Sequence, residues 1–201
     1  MWTVFSVLGV FFMGVISPGA DFSVVVKNSL TKGRKEGLLT ALGIATGVLV
    51  HLTYSILGLG LLIGDNPPII HWIKICGGSY LIYLGIRSIV STAIEPKSSD
   101  QKTKIKTKRS WYYEGFLTNL LNPQAALFLI SIISSIVASN PMTVVVLTGF
   151  TMTLMALSWF TIVSVIFSFK AMSSRFLEHA HLINRMLGLV LIAFGFRLMV
   201  L

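Results

Sequence analysis

The sequence predicts an all-α integral membrane protein whose six transmembrane helices form two inverted three-helix repeats. Three observations favour this fold class. The chain of 201 residues is 54% hydrophobic and only 11% charged, with a mean hydropathy of +0.83, whereas a soluble domain carries about 25% charged residues. Apolar runs of about 20 residues, long enough to cross a bilayer as helices, recur along the whole chain. Basic residues cluster in alternate gaps between these runs, as is typical of multi-pass membrane proteins.

Six apolar segments are the predicted spans, numbered from the N-terminus. Pro, Gly and polar residues occupy the gaps between them, as expected at helix boundaries. The gap at residues 170–181 is predicted to be a polar loop before the last span. The spans are residues 2–27, 38–63, 69–91, 112–137, 142–169 and 182–201.

The gap after span 3 is the predicted linker between the two repeats. It is rich in Ser, Thr and Lys and nearly free of large apolar residues, which favours a flexible segment. One membrane domain is therefore expected. It comprises a first repeat at residues 1–91, a cytoplasmic basic linker at 92–110 and a second repeat at 111–201.

The distribution of Lys and Arg predicts how the spans face the two sides of the membrane. Of the 16 Lys and Arg residues, all but Lys74 and Arg197 fall in one set of alternating loops. Because cytoplasmic loops are enriched in Lys and Arg, both termini are predicted to face away from the cytoplasm. The net charge of +9 is thus explained by membrane topology, and nucleic-acid binding is not expected.

Each predicted repeat begins with a span that Pro interrupts. Residues 17–20 are Ser-Pro-Gly-Ala, and residues 122–125 are Asn-Pro-Gln-Ala. Pro removes a backbone donor and frees a carbonyl one turn back. Hydrocarbon therefore tolerates the break only where it is packed in protein or lines a wet cavity. Paired interruptions at matching positions of two inverted halves indicate a transporter binding site.

Asp21, the first charged residue of the chain, follows the first break. A carboxylate at the membrane centre costs about 2.5–3.5 kcal/mol on insertion scales, and such residues usually mark a transport pathway. Two interpretations of Asp21 stand side by side. It handles substrate or protons, or it only caps the half-helix that begins after Pro18. That half-helix also offers free N–H groups and a positive dipole end to an anion.

Span 2 carries a face of small and polar residues. Gly43 and Gly47 form a Gly-x-x-x-Gly pair, for which close helix packing is the favoured interpretation and substrate contact the alternative. His51 lies mid-span on the same face and can change charge near neutral pH. It is either a proton-handling residue or a hydrogen-bonded structural histidine. At the second break, the amide of Asn122 is favoured as a substrate contact over repair of the interrupted backbone.

Several function classes lack sequence support. The single cysteine, Cys76, permits neither an internal disulfide nor a dithiol pair. The chain has no Gly-x-x-x-x-Gly-Lys-Ser/Thr motif, so direct use of ATP is not expected, and no motif supports an enzyme or a cofactor. A metal or inorganic-ion exporter would need clusters of His, Cys or carboxylates within the spans, which are nearly absent. That exporter and a non-transporting assembly partner are the alternatives to the hypothesis below.

Three blocks of the sequence resemble the lysine exporter / homoserine–threonine resistance (LysE/RhtB) family of bacterial amino-acid exporters. The blocks are residues 17–51, 77–89 and 115–133, and the resemblance covers nearly the full length. It implies a secondary exporter of small amino acids such as threonine or homoserine, located in the bacterial inner membrane. The export is commonly taken as driven by the proton-motive force. The implied partners are the amino acid, protons and the lipid bilayer, with a homodimer as an open option.

The family motifs fall on the two Pro breaks. A Pro-Gly-Pro-Asp-like motif falls on residues 18–21, and an Asn-Pro-Lys-Ala-like motif on residues 122–125. Two departures affect the expected chemistry. Ala20 replaces the second Pro, and Gln124 replaces the common Lys, which removes a candidate partner for the Asp21 carboxylate. The candidate substrate-binding residues are Pro18, Gly19, Asp21, Asn28, Gly43, Gly47, Asn119, Asn122, Pro123 and Gln124, and the candidate proton-coupling residues are Asp21 and His51.

Overall fold

The computed structural model describes residues 2–65, 67–90, 108–137 and 139–200. Over these ranges the chain is all-helical, with eight α-helices and no strand. Most of the predicted basic linker lies outside the described residues, and the last three linker residues already belong to the fifth helix. The helices are α1 (Trp2–Ile16), α2 (Ala20–Lys32), α3 (Arg34–Asp65), α4 (Pro67–Val90), α5 (Lys108–Leu120), α6 (Pro123–Val137), α7 (Met142–Phe167) and α8 (Lys170–Val200).

Long apolar helices account for most of the predicted spans. Within the described residues, three stretches are by themselves long and apolar enough to cross a membrane, namely Arg34–Gly60, His71–Val90 and Met142–Phe167. Two helix pairs meet the same criterion only when each pair is taken together. α1 and α2 are bent by 49° at the first Pro break, and α5 and α6 by 59° at the second. The interruptions expected at Pro18 and Pro123 are therefore present.

The last helix begins earlier than the sequence predicts. The expected polar loop at residues 170–181 is wrong, because α8 runs without a break from Lys170 to Val200. The segment contains neither Pro nor Gly before Gly188. Nothing in it removes a backbone donor or favours a turn, and polarity alone does not end a helix.

A left-handed glycine separates α2 from α3. Gly33 has φ 119°, a conformation that costs glycine little because it has no Cβ. Its N–H donates to the carbonyls of Asn28 at 3.2 Å and Ser29 at 3.1 Å, which closes the last turn of α2. The chain can therefore fold back at once, and α3 packs against α2.

α4 and α8 are antiparallel neighbours joined by mutually facing glycines. A Cβ on Gly85 would lie 2.6 Å from the carbonyl oxygen of Gly188, and a Cβ on Gly188 would lie 2.5 Å from that of Gly85. Gly78 and Gly195 repeat the arrangement at 2.6 Å in both directions. In lipid, small residues of this kind let helix backbones approach closely and gain packing contacts. Because Gly78 pairs with Gly195 and the later Gly85 pairs with the earlier Gly188, the two helices run antiparallel.

α3 occupies the centre of the fold and places both breaks next to it. It packs against the two halves of the second broken span, α5 and α6, and against α2 and α7. Large buried side chains fill the space between these helices, among them Phe11, Phe22, Ile44, Leu129 and Phe167. The two breaks therefore lie beside the central helix, although Gly19, Ala20, Pro123 and Gln124 are exposed.

Candidate functional site

The two Pro breaks line one cavity of about 110 Å³. Since a water molecule occupies about 30 Å³ in the liquid, the cavity has room for a small solute. The Pro rings themselves are not part of the lining. From the breaks and the helix turns next to them, the cavity is lined by Ser17, Gly19, Ala20, Asp21, Asn119, Asn122, Gln124 and Ala125.

The start of α2 opens on this cavity without a side-chain cap. Its N-cap is Gly19, in an extended conformation, and no side chain bonds the cap position. The interpretation of Asp21 as the cap is therefore wrong, because Asp21 lies within the first turn of the helix. The first N–H groups of a helix lack intrahelical partners and carry its positive dipole end. This end can bind an anion.

The start of α6 is partly capped. The Asn122 side-chain Oδ1 accepts the Gln124 N–H at 3.0 Å, which is a typical N-cap bond. Pro123 follows at the first helical position, where its missing N–H leaves nothing unsatisfied. Asn122 therefore repairs the interrupted helix and also lines the cavity, so the two interpretations of its role are compatible.

Asp21 and Asn119 connect the two broken spans across the cavity. The Asn119 Nδ2 donates to Asp21 Oδ2 at 2.7 Å. The other carboxylate oxygen, Oδ1, is buried and has no hydrogen-bond partner within the described part of the chain. A buried acceptor without a partner costs about 1–3 kcal/mol. Asp21 also lines the cavity, so its carboxylate lies beside the space that a ligand would occupy.

His51 lies behind Asn119 and does not line the cavity. Its Nε2 is 3.0 Å from the Asn119 carbonyl oxygen, and its Nδ1 meets the Tyr54 hydroxyl. A carbonyl oxygen only accepts, so Nε2 carries the hydrogen, and in the neutral ring Nδ1 accepts from Tyr54. This geometry lets His51 hold the end of α5, and with it the Asn119 amide that faces Asp21.

The two roles of His51 predict different outcomes for two variants. If the chain is an exporter, as its resemblance to the LysE/RhtB family implies, and His51 positions Asn119, His51→Gln keeps a donor for the carbonyl and retains efflux with an unchanged pH profile. His51→Leu then lowers efflux about fivefold, as expected for loss of one hydrogen bond. Efflux from proteoliposomes at several pH values measures both. Loss of the response to a proton gradient in His51→Gln would instead show that His51 carries protons.

Asn28, a predicted site residue, lies in a second polar cluster away from the cavity. Its Nδ2 donates to Thr40 Oγ1 at 2.9 Å and to Glu114 Oε2 at 3.4 Å. Lys27 Nζ lies 3.7 Å from Glu114 Oε1. We call Lys27, Asn28, Thr40 and Glu114 the inner polar cluster. It joins α2 to α5 a few turns from the Asp21–Asn119 bond.

Gly43 and Gly47 both lie in helix packing contacts. A Cβ on Gly43 would lie 2.7 Å from the Phe116 backbone nitrogen of α5, and one on Gly47 would lie 2.6 Å from Asn119 Oδ1. Neither glycine lines the cavity. Gly47 nevertheless leaves the space into which the Asn119 side chain fits.

The sequence did not single out several residues that matter for the site. Glu114 of the inner polar cluster could have been found, since it is a carboxylate in the first span of the second repeat, as Asp21 is in the first. No sequence signal marks the apolar residues that line the cavity, because their neighbours in the sequence are equally apolar. They are Phe11, Val15, Phe22, Val48, Leu84, Phe128, Leu129, Phe160 and Leu191.

Asp21 is the one ionisable side chain among the described residues that line the cavity. Ser88 adds a hydroxyl to the lining, and its Oγ donates to the Asn184 carbonyl at 2.8 Å. Elsewhere in the described ranges, no three His, Cys, Asp or Glu side chains lie close enough together to hold a metal ion. The site is thus a small, largely apolar chamber with one carboxylate and two helix N-termini.

Comparison with known proteins gives matches over the full length. A threonine efflux protein of Salmonella typhimurium is 30% identical over 203 residues, covering 100% of this chain and 98% of that protein. A threonine efflux protein of Escherichia coli strain K12 is 30% identical, covering 94% of this chain and 93% of its own. An uncharacterized membrane protein of Bacillus subtilis, YrhP, is 29% identical with 92% of both chains covered. No solved structure matches the chain.

The family assignment rests on most of the chain. A family model described as LysE type translocator matches residues 12–201, which include both Pro breaks and the cavity. The apolar helices and the bacterial membrane proteins among the relatives support a bacterial multi-pass membrane protein. The chain belongs to the LysE type translocator family.

Proposed function

We propose that this protein is a proton-coupled secondary exporter of neutral amino acids of about the size of threonine. The observation that carries the proposal is the cavity between the two Pro breaks. Asp21 lines it, and the buried Oδ1 of its carboxylate has no hydrogen-bond partner among the described residues. The family match and the threonine efflux proteins among the relatives support transport of an amino acid.

The two ends of an amino acid have complementary partners at the breaks. The ammonium group supplies three N–H donors, and Asp21 Oδ1 is an acceptor without a partner. The α-carboxylate is an anion, and the uncapped start of α2 offers free N–H groups with a positive dipole end. Broken helices bind the polar ends of substrates in this way in other secondary transporters.

Proton coupling would follow from competition at one carboxylate. A protonated Asp21 no longer offers a negative charge to an ammonium group, so proton and substrate exclude each other at this position. A proton that enters from outside would displace the amino acid outwards, and return of the proton to the cytoplasm would prepare the site for the next substrate. We therefore propose Asp21 as the residue that couples transport to protons. His51 is the alternative proton-coupling residue, and the His51 variants above test it.

We also propose six spans in two inverted repeats in the bacterial inner membrane, with both termini outside the cytoplasm. The five spans suggested by the three long helices and the two bent pairs, together with α8, support the count. The antiparallel pairing of α4 with α8 and the matching breaks support the inversion.

In the proposed orientation the inner polar cluster closes the cytoplasmic side of the protein. Movement of one repeat against the other would have to separate Lys27 from Glu114 to open that side.

Efflux from proteoliposomes tests the proposal. The purified protein is reconstituted into liposomes preloaded with one labelled amino acid at a time, from a panel of neutral, acidic and basic members. A proton gradient is then imposed with the external side acidic. We expect gradient-dependent efflux of at least one neutral amino acid, abolished by a protonophore and absent from liposomes without protein. Failure of every panel member to leave would overturn the proposed function.

A further inference from the structure

We propose that the cavity selects amino acids with an apolar side chain of valine type, in preference to the hydroxyl amino acids threonine and homoserine. This inference rests on the proposed function and deepens it by naming the substrate class. Its basis is the origin of the polar groups in the cavity lining, nearly all of which belong to the two broken spans.

The polar groups of the lining come almost entirely from the two broken spans. They are the first turn of α2, with Asp21, and the residues around the start of α6. Each unbroken helix contributes one apolar side chain to the lining. These are Val48 of α3, Leu84 of α4, Phe160 of α7 and Leu191 of α8, all of them buried. We call these four residues the apolar wall.

This division orients a bound amino acid. Its ammonium and carboxylate groups require charge-assisted partners, which only the broken spans provide. In this arrangement the side chain of the amino acid lies against the apolar residues of the lining, among them the apolar wall. The apolar character of this wall therefore decides which substrate side chains the cavity accepts.

Charged side chains have no partner in this cavity. Asp21 is the one ionisable side chain in the described part of the lining, and the α-ammonium group occupies it. A second ammonium, as in lysine, or a second carboxylate, as in glutamate, would lie against apolar carbon. Because burial of an unpaired charge is strongly unfavourable, both kinds of amino acid are disfavoured.

The unbroken helices also offer few hydrogen-bond partners to a hydroxyl group on the substrate side chain. Among the described residues, Ser88 is their one polar contribution to the lining; its hydrogen is already donated to the Asn184 carbonyl, so towards a substrate it can only accept. Valine and threonine have nearly the same shape, so the contrast between them isolates the hydroxyl. Apolar pockets discriminate such isosteres by about 100-fold at most, and we expect about tenfold here.

Competition in proteoliposomes measures this preference with the wild-type protein. Counterflow of labelled valine is inhibited by unlabelled valine, threonine, homoserine, lysine or glutamate, and half-inhibiting concentrations are compared. We expect valine to be about tenfold more effective than threonine, with lysine and glutamate weaker still. Equal or stronger inhibition by threonine, with transport intact, would overturn the inference and leave the proposed function standing. Absence of transport for every amino acid would overturn both.

A variant of the apolar wall provides an independent readout. Leu84→Thr adds a hydroxyl at the wall and is expected to reduce the preference for valine over threonine at least threefold. Leu81→Thr is the matched control, since Leu81 is equally buried on the same helix and does not line the cavity. If a folded Leu84→Thr protein prefers valine over threonine as strongly as the wild type does, the apolar wall does not contact the substrate side chain. If Leu84→Thr does not fold, the wild-type ranking decides.

Discussion

Replacing Asp21 with Asn is expected to lower gradient-driven efflux about 100-fold while the protein stays folded. The proposed contact between Asp21 and the substrate ammonium is a buried, charged hydrogen bond. Removing one partner of such a pair weakens binding by about 2–5 kcal/mol. An amide cannot exchange a proton, so the efflux that remains should no longer respond to the proton gradient. Asn keeps the shape of the side chain and can still meet Asn119, which bonds Asp21 at 2.7 Å.

The same substitution separates a transport role from a structural one. Asp21→Asn removes a carboxylate whose Oδ1 is buried without a partner in the described structure, so thermal stability in detergent should be unchanged or raised. Glu36→Gln is the matched control, because Glu36 is a carboxylate in the first turn of α3 and does not line the cavity. If Asp21→Asn transports with the rate and pH profile of the wild type, Asp21 has no role in binding or coupling.

Replacing Gly43 with Ala is expected to destabilise the protein by about 1–3 kcal/mol through overpacking. A Cβ at this position would lie 2.7 Å from the Phe116 nitrogen and 3.0 Å from the Tyr112 carbonyl carbon. Both are backbone atoms of α5, which cannot move aside without a shift of the helix. Thermal unfolding in detergent, followed by tryptophan fluorescence, should show a midpoint lowered by about 5 °C.

Gly58→Ala on the same helix is the control for the Gly43 variant. A Cβ at Gly58 meets nothing within 4 Å, so this variant should be neutral or slightly stabilised, because Ala favours helix over Gly by up to about 1 kcal/mol. The pair also tests the earlier alternative that Gly43 contacts substrate. A Gly43→Ala protein as stable as Gly58→Ala, but with an altered amino-acid preference, would identify Gly43 as a binding residue.

The sequence by itself determined the features that depend on neighbouring residues. Apolar runs of sufficient length predict the long helices α3, α4 and α7, because each run satisfies its own backbone within one helix. Pro18 and Pro123 predict the two helix breaks, because loss of a backbone donor acts on the preceding turn. Asp21 was marked as exceptional by its charge in an apolar segment. The boundary at residues 170–181 was misplaced, because polarity suggested a loop and no residue broke the helix.

The tertiary structure alone decided which distant residues meet. Asp21 bonds Asn119, 98 positions away, and Glu114 pairs with Lys27, and no local pattern specifies either contact. It also places Asn28, Gly43 and Gly47 outside the cavity lining, and it places Asp21 in the first turn of α2 and not at the cap position. The apolar wall shows the reason most clearly. Val48, Leu84, Phe160 and Leu191 are ordinary apolar residues of their own helices, and they form one surface only because packing brings four helices around the two breaks.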